Sequence, residues 1–123
     1  MPKFAPDDVL DAPLDEIATA DTLYICTDQP TNFAGIAALA LASVAVDAGD
    51  FTKANGDMSG RKLTVAGQSG IPITSSGDAD HAVLANAAQS RLLYVTVTDA
   101  PQQLTAGGTL TTGSWDIEIA DPQ

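Results

Sequence analysis

Apolar and polar residues alternate along much of the second half of this chain. Leu93, Val95 and Val97 fall on one side of a run, with Tyr94, Thr96 and Thr98 on the other. That two-residue period predicts a strand with one face buried. Trp115, Ile117 and Ile119 alternate with Asp116 and Glu118 in the same way, and Leu63 with Val65 and Ile71 with Ile73 make shorter pairs. The runs 61–66, 71–75, 81–85, 91–98 and 115–120 are separated by Gly, Ser, Asn, Asp and Pro. Such spacing predicts a small sandwich or barrel of strands. Thr105-Ala-Gly-Gly-Thr109 predicts a hairpin-type turn between Leu104 and Leu110.

The first half is less regular. Thr22–Thr27 predicts the first strand, and Asp28-Gln-Pro-Thr-Asn32 a turn. Ala34–Leu41 fits either a short helix or an extended path. Ser43–Val46 reads as strand, Asp47-Ala-Gly-Asp50 as a turn, and Phe51 as a return to the core. Residues 54–60 read as a loop. Over residues 1–20, Asp11 can cap a short helix with Ala12-Pro13 in its first turn and Leu14, Ile17 and Ala18 on one face. Too few helices are predicted to cover a parallel sheet, so the strands should be antiparallel. The expectation is an all-β fold. It is an antiparallel β-sandwich or jelly-roll-like barrel of seven to eight strands over residues 21–123, preceded by a short helical or extended arm over residues 1–20.

Composition narrows the function. A chain of 123 residues makes one domain. The net charge is −11, distributed unevenly. Residues 1–28 hold seven acids against Lys3, residues 51–98 hold three acids against four bases, and residues 99–123 hold four acids and no base. With no basic patch to displace counterions, nucleic acid and anionic membranes are not expected partners. Solubility and mutual repulsion account for an acid excess of this kind. The opening Met1-Pro-Lys-Phe-Ala-Pro-Asp-Asp8 has no apolar core of an export signal, which predicts synthesis in a cytoplasm without a classical leader.

No constellation of catalytic residues emerges, so the chain is read as a non-enzyme with no cofactor and no metal. Cys26 is the single cysteine and His81 the single histidine. A thiol within Leu23-Tyr-Ile-Cys-Thr27 reads as a buried, inert strand residue. Asp47, Asp50, Asn55 and Asp57 could offer oxygens to calcium, but their spacing fits no EF-hand and turn chemistry explains them. Asp80 and His81 are neighbours on a strand and should point to opposite faces. Asp116 and Glu118 share a face roughly 7 Å apart, as on any exposed strand. Trp115 alternates with isoleucines and so reads as core rather than as a sugar platform. Phe4, Val9 and Leu10 are apolar residues on an acidic arm, which either tuck onto the domain's own core or pack on a partner. Arg61-Lys62 is a basic pair at a strand start, either a solvated edge or a contact to an acidic neighbour.

The order of elements in the second half carries a resemblance. Ser59-Gly-Arg-Lys-Leu-Thr-Val-Ala66 precedes a Ser69-Gly70 turn and Ile71-Pro-Ile-Thr-Ser-Ser-Gly77. Ala79-Asp-His-Ala-Val-Leu84, Arg91-Leu-Leu-Tyr-Val-Thr96, Leu104-Thr-Ala-Gly107 and Trp115-Asp-Ile-Glu-Ile119 follow. This series resembles small virion proteins from the structural gene modules of tailed bacteriophages, over about half the chain. The acidic N-terminal segment lies outside the resemblance. What it implies is a non-enzymatic virion component, foremost a capsid decoration (cement) protein. Such a protein sits on the outer capsid surface, often as a trimer, bound to the major capsid protein or another virion protein. A tail, fibre-base or receptor-binding module of a tailed phage is the alternative. Phe4, Val9, Leu10, Arg61 and Lys62 are the expected partner contacts.

Overall fold

The computed structural model describes residues 6–57 and 60–119, and at 98–101 the backbone alone. Nine strands and two α-helices appear among the described residues, in the order α1 (Asp7–Ile17), β1 (Thr22–Cys26), α2 (Ile36–Leu39), β2 (Ala40–Ala45), β3 (Phe51–Asn55), β4 (Arg61–Val65), β5 (Gln68–Pro72), β6 (Gly77–Asn86), β7 (Arg91–Leu104), β8 (Thr109–Thr112) and β9 (Trp115–Ile119). Every strand pair is antiparallel. The strands form sheets ordered β2-β1-β6-β7, β3-β4-β9 and β5-β8. The fold is an all-β sandwich with no closed barrel.

The two smaller sheets are halves of one bent ribbon. Arg61 pairs with Ile119 and Val65 with Trp115, and beyond the gap Gln68 pairs with Thr112. The ladder therefore keeps its register across the corner at 66–67 and 113–114, and slips by one residue only between Gln68 and Ile71. Strands commonly change sheets by such bends. Gly67 sits at the corner because a Cβ there would lie 2.7 Å from the Thr112 carbonyl oxygen.

The ribbon covers the inner face of the four-stranded sheet. On one side of the bend, Leu23 and Leu84 pack with Leu63, Val65 and Ile117. On the other, Ile25 and Ala42 pack with Ile71 and Ile73. The outer face of the same sheet is also covered. There Cys26, Val83 and Ala85 are buried beneath Ile36, with Phe33 and Leu39 beside it. This is the role of the ambiguous segment before β2. It makes a 3-10 turn over Phe33–Gly35 and a single turn of α-helix, then extends.

Burial on both faces explains where simple alternation fails. Val95 and the exposed Val97 lie on the outer side, opposite Val83 and His81, while Tyr94 pairs with Leu84 on the inner side. Leu93 is the extra residue of a bulge between Leu84 and Ala85, and it joins Tyr94 in the inner core. The expected single face of Leu93, Val95 and Val97 is thus split by one inserted residue, since a bulge reverses the inward set. A second irregularity between Ala79 and His81 brings Asp80 Oδ1 within 2.6 Å of His81 Nδ1. The two side chains meet, contrary to the expectation of opposite faces.

Three other expectations need correction. The helix starts at Asp7 rather than at Asp11, with Pro6 in the extended conformation before it and Asp7 and Asp8 in its first turn. Pro13 consequently lies inside the helix, where it lacks a donor for the Val9 carbonyl. Residues 51–55 are strand rather than partly loop, paired with β4 from Phe51 opposite Val65 to Asn55 opposite Arg61. Finally, the 105–108 turn does not make a hairpin of Leu104 and Leu110. Leu104 pairs with Gly77 in one sheet and Leu110 with Ile71 in another. The turn is anchored by Ile73, whose N–H donates to Gly108 and whose carbonyl accepts from Gly107.

Asp21 ties the start of β1 to the turn after β6. Its two carboxylate oxygens accept from the N–H groups of Ala87 and Ala88 at 2.8 and 3.1 Å. These bonds hold its carboxyl below the ordinary 3.8. A depressed folded pKa means that the stabilisation is present above the unfolded value and is lost as pH falls through the folded one. Asp21→Ala should therefore lower stability by about 1 kcal/mol at pH 7, with the deficit shrinking below pH 3.8; urea titrations at pH 7 and pH 3 measure this. Gly67→Ala should cost more than about 1 kcal/mol in the same assay, because the clash is with backbone.

Candidate functional site

Of the five residues expected to meet a partner, Phe4 lies outside the described residues. Val9 is 55% exposed, while Leu10 is buried and points with Leu14 into the protein. Helix α1 packs against β4. A helix places residues four apart on one face, and here Asp7, Asp11 and Asp15 form such a stripe. Arg61 Nε donates to Asp11 at 2.9 Å, with Asp7 at 4.0 Å from its guanidinium. Lys53 Nζ donates to Asp15 at 2.5 Å. Arg91 pairs with Glu16 on the other side of the helix. The acidic neighbour of Arg61 is therefore the chain's own helix.

Lys62 points away from the helix, to Asp57 at 2.8 Å and Asp116 at 3.7 Å. All four bases among the described residues are thus in ion pairs. Hydrogen bonds to Asp15, Asp11 and Asp57 raise the pKa values of Lys53, Arg61 and Lys62 respectively. Raised folded values mean that these contributions are complete at neutral pH and fade only as pH climbs through the folded pKa, for the lysines above 10.5.

The other chemical candidates stay apart. Asp47 and Asp50 cap each other's backbone across the 48–50 turn, and Asn55 accepts from Arg61. Among the described residues no three of His, Cys, Asp and Glu gather as a metal site requires. Burial pushes the Cys26 thiol up to about 11, with the Asp80 carboxylate adding to the effect. Such a thiol is a poor nucleophile at neutral pH. No helix among the described residues is long and apolar enough to cross a membrane.

One cleft of about 320 Å³ opens at the side of the sandwich. Ile25 and Ala82 form its floor on the inner face of the four-stranded sheet. Thr96 and Val97 of β7 form one wall, and Thr112, Trp115 and Asp116 the other, at the corner between β8 and β9. Trp115 stacks on Tyr94 with ring centres 6.1 Å apart. Asp116 is held by Thr64 Oγ1 at 2.7 Å. Sequence reasoning placed Trp115 in the core and had no reason to select the cleft, because its walls meet only after the ribbon bends. Its floor is apolar, and in its walls Asp116 accepts from Thr64 while Thr112 accepts from the Gln68 N–H.

Comparison of the chain with protein-family models, with curated proteins and with solved structures found no match.

Replacing Arg61 with Met should lower the melting temperature by removing the bridge between α1 and β4. The deficit should narrow as salt rises, since screening weakens the pair in the parent protein. Thermal melts at 0.05 and 1 M NaCl provide the check.

Proposed function

We propose that this protein is a non-enzymatic structural component of a tailed-phage virion, bound to the outer surface of the capsid as a decoration protein. The reading rests on the resemblance of the strand series over 59–119. One structural observation supports it on separate grounds. The described bases are consumed in ion pairs, so the outward surface carries the acid excess of a −11 chain. A surface of that sign is repelled by packaged DNA and keeps particles apart when it faces outward. A small sandwich with a modest core also gains stability from a bound neighbour. The major capsid protein is the partner this reading requires, and trimers are the assembly it favours.

Cryo-EM of particles purified from cells that express the neighbouring structural genes tests the proposal. The expected result is density for this chain repeated over the icosahedral shell. Density confined to the tail would replace the reading with the tail-module alternative, and absence of the chain from particles would overturn both.

A further inference from the structure

Asn55 is one of three asparagines in the chain and the one that precedes a glycine. It ends β3, an edge strand of the β3-β4-β9 sheet, and it is exposed. Glycine has no Cβ to keep its backbone nitrogen away from the preceding side chain, and its backbone turns freely. The Gly56 nitrogen can therefore reach the Asn55 carboxamide carbon whenever the turn between β3 and β4 opens. The edge position favours opening, because β3 has to part from one neighbour only.

Two hydrogen bonds restrain the pair. The Gly56 N–H donates to the Gly60 carbonyl at 2.9 Å, and Gly60 closes the turn in the left-handed conformation at φ 71°. Arg61 Nη1 donates to Asn55 Oδ1 at 2.7 Å. The same guanidinium is held on α1 by Asp11 at 2.9 Å and Asp7 at 4.0 Å. The other two asparagines are placed differently. Asn32 precedes Phe33 and caps the 33–35 turn. Asn86 precedes Ala87, is buried, and is bonded to the Thr19 carbonyl and the Gln89 N–H.

We infer that Asn55-Gly56 is a site of spontaneous deamidation that Arg61 restrains. The Gly56 nitrogen gives its proton to hydroxide and bonds to Asn55 Cγ. Nδ2 then leaves as ammonia, taking a proton from water and regenerating the hydroxide. Water adds to the five-membered imide that remains. Breaking the Cγ–N bond restores a normal backbone with aspartate at 55. Breaking the bond from the main-chain carbonyl carbon to the same nitrogen gives an isoaspartyl link, with one more methylene in the backbone. One water is consumed and one ammonia released, and nothing is oxidised or reduced. Either product adds a negative charge to a −11 chain, beside the guanidinium that α1 uses. The isoaspartyl form also moves the end of β3 out of register with Arg61.

Peptide mapping by mass spectrometry of the full-length protein, held at pH 6 and at pH 9, tests the inference. The mass change of NH2 replaced by OH should accumulate at Asn55 at least about tenfold faster than at Asn32 or Asn86. It should be faster at pH 9, since the attacking nitrogen must lose its proton. Arg61→Met should speed it about fivefold, the factor that one net hydrogen bond represents. Gly56→Ala should slow it, because the added Cβ crowds the attacking nitrogen. Asp21→Ala weakens the fold at the turn after β6 instead and should leave the rate unchanged. Conversion at Asn55 no faster than at the other two asparagines overturns the inference. Equal rates in the parent protein and Arg61→Met overturn the restraint by Arg61. Acceleration by Asp21→Ala equal to that by Arg61→Met also overturns it, in favour of reaction from the unfolded chain.

Discussion

The four-stranded sheet has to be covered on both faces by a chain with only six aromatic residues, Trp115, two Tyr and three Phe. That constraint organises everything else. Its inner face is met by a single ribbon of β4-β5 against β8-β9, folded over at Gly67 so that one hairpin serves both ends of the core. Its outer face is met by the turn of helix around Ile36. Aliphatic side chains such as Leu23, Leu63 and Leu84 fill the space between. Bending one ribbon also leaves a gap at the side where its corner cannot reach β7, and that gap is the cleft.

Helix α1 belongs to the same unit. Leu14 is fully buried among residues from both sheets, and Leu10 is buried beside it. The acidic stripe then sets the helix's orientation by pairing with Lys53 and Arg61. Partly shielded pairs of this type add specificity to a contact already made by apolar burial. The arm, which the sequence left open between the chain's own core and a partner, packs on the chain itself from Asp7 onward, with the exposed Val9 on its outer side.

Much of the fold was legible from alternation. Leu63 with Val65, Ile71 with Ile73, and Trp115 to Ile119 lie where period-two reasoning puts them, because each has one face toward a single core. The pattern failed where its premise failed. β7 is covered in part on both sides and carries a bulge at Leu93, so Tyr94 turns inward and Val95 and Val97 turn out. Residues 54–60 read as a loop, with only Phe51 returned to the core, because Lys53 and Asn55 look polar; yet 51–55 form an edge strand whose lysine serves the helix. The cleft was not legible at all. Its lining comes from five strands, and no local signal joins Ala82 to Thr112 or Trp115.

Helix α1 is internal to the fold, with Leu14 in the core shared by the sheets. Hydrogen–deuterium exchange of the free protein tests this most directly. The predicted result is protection over 10–17 comparable to that of β1 and β6. Exchange over 10–17 as fast as in an unstructured peptide, with β1 and β6 protected, would contradict it.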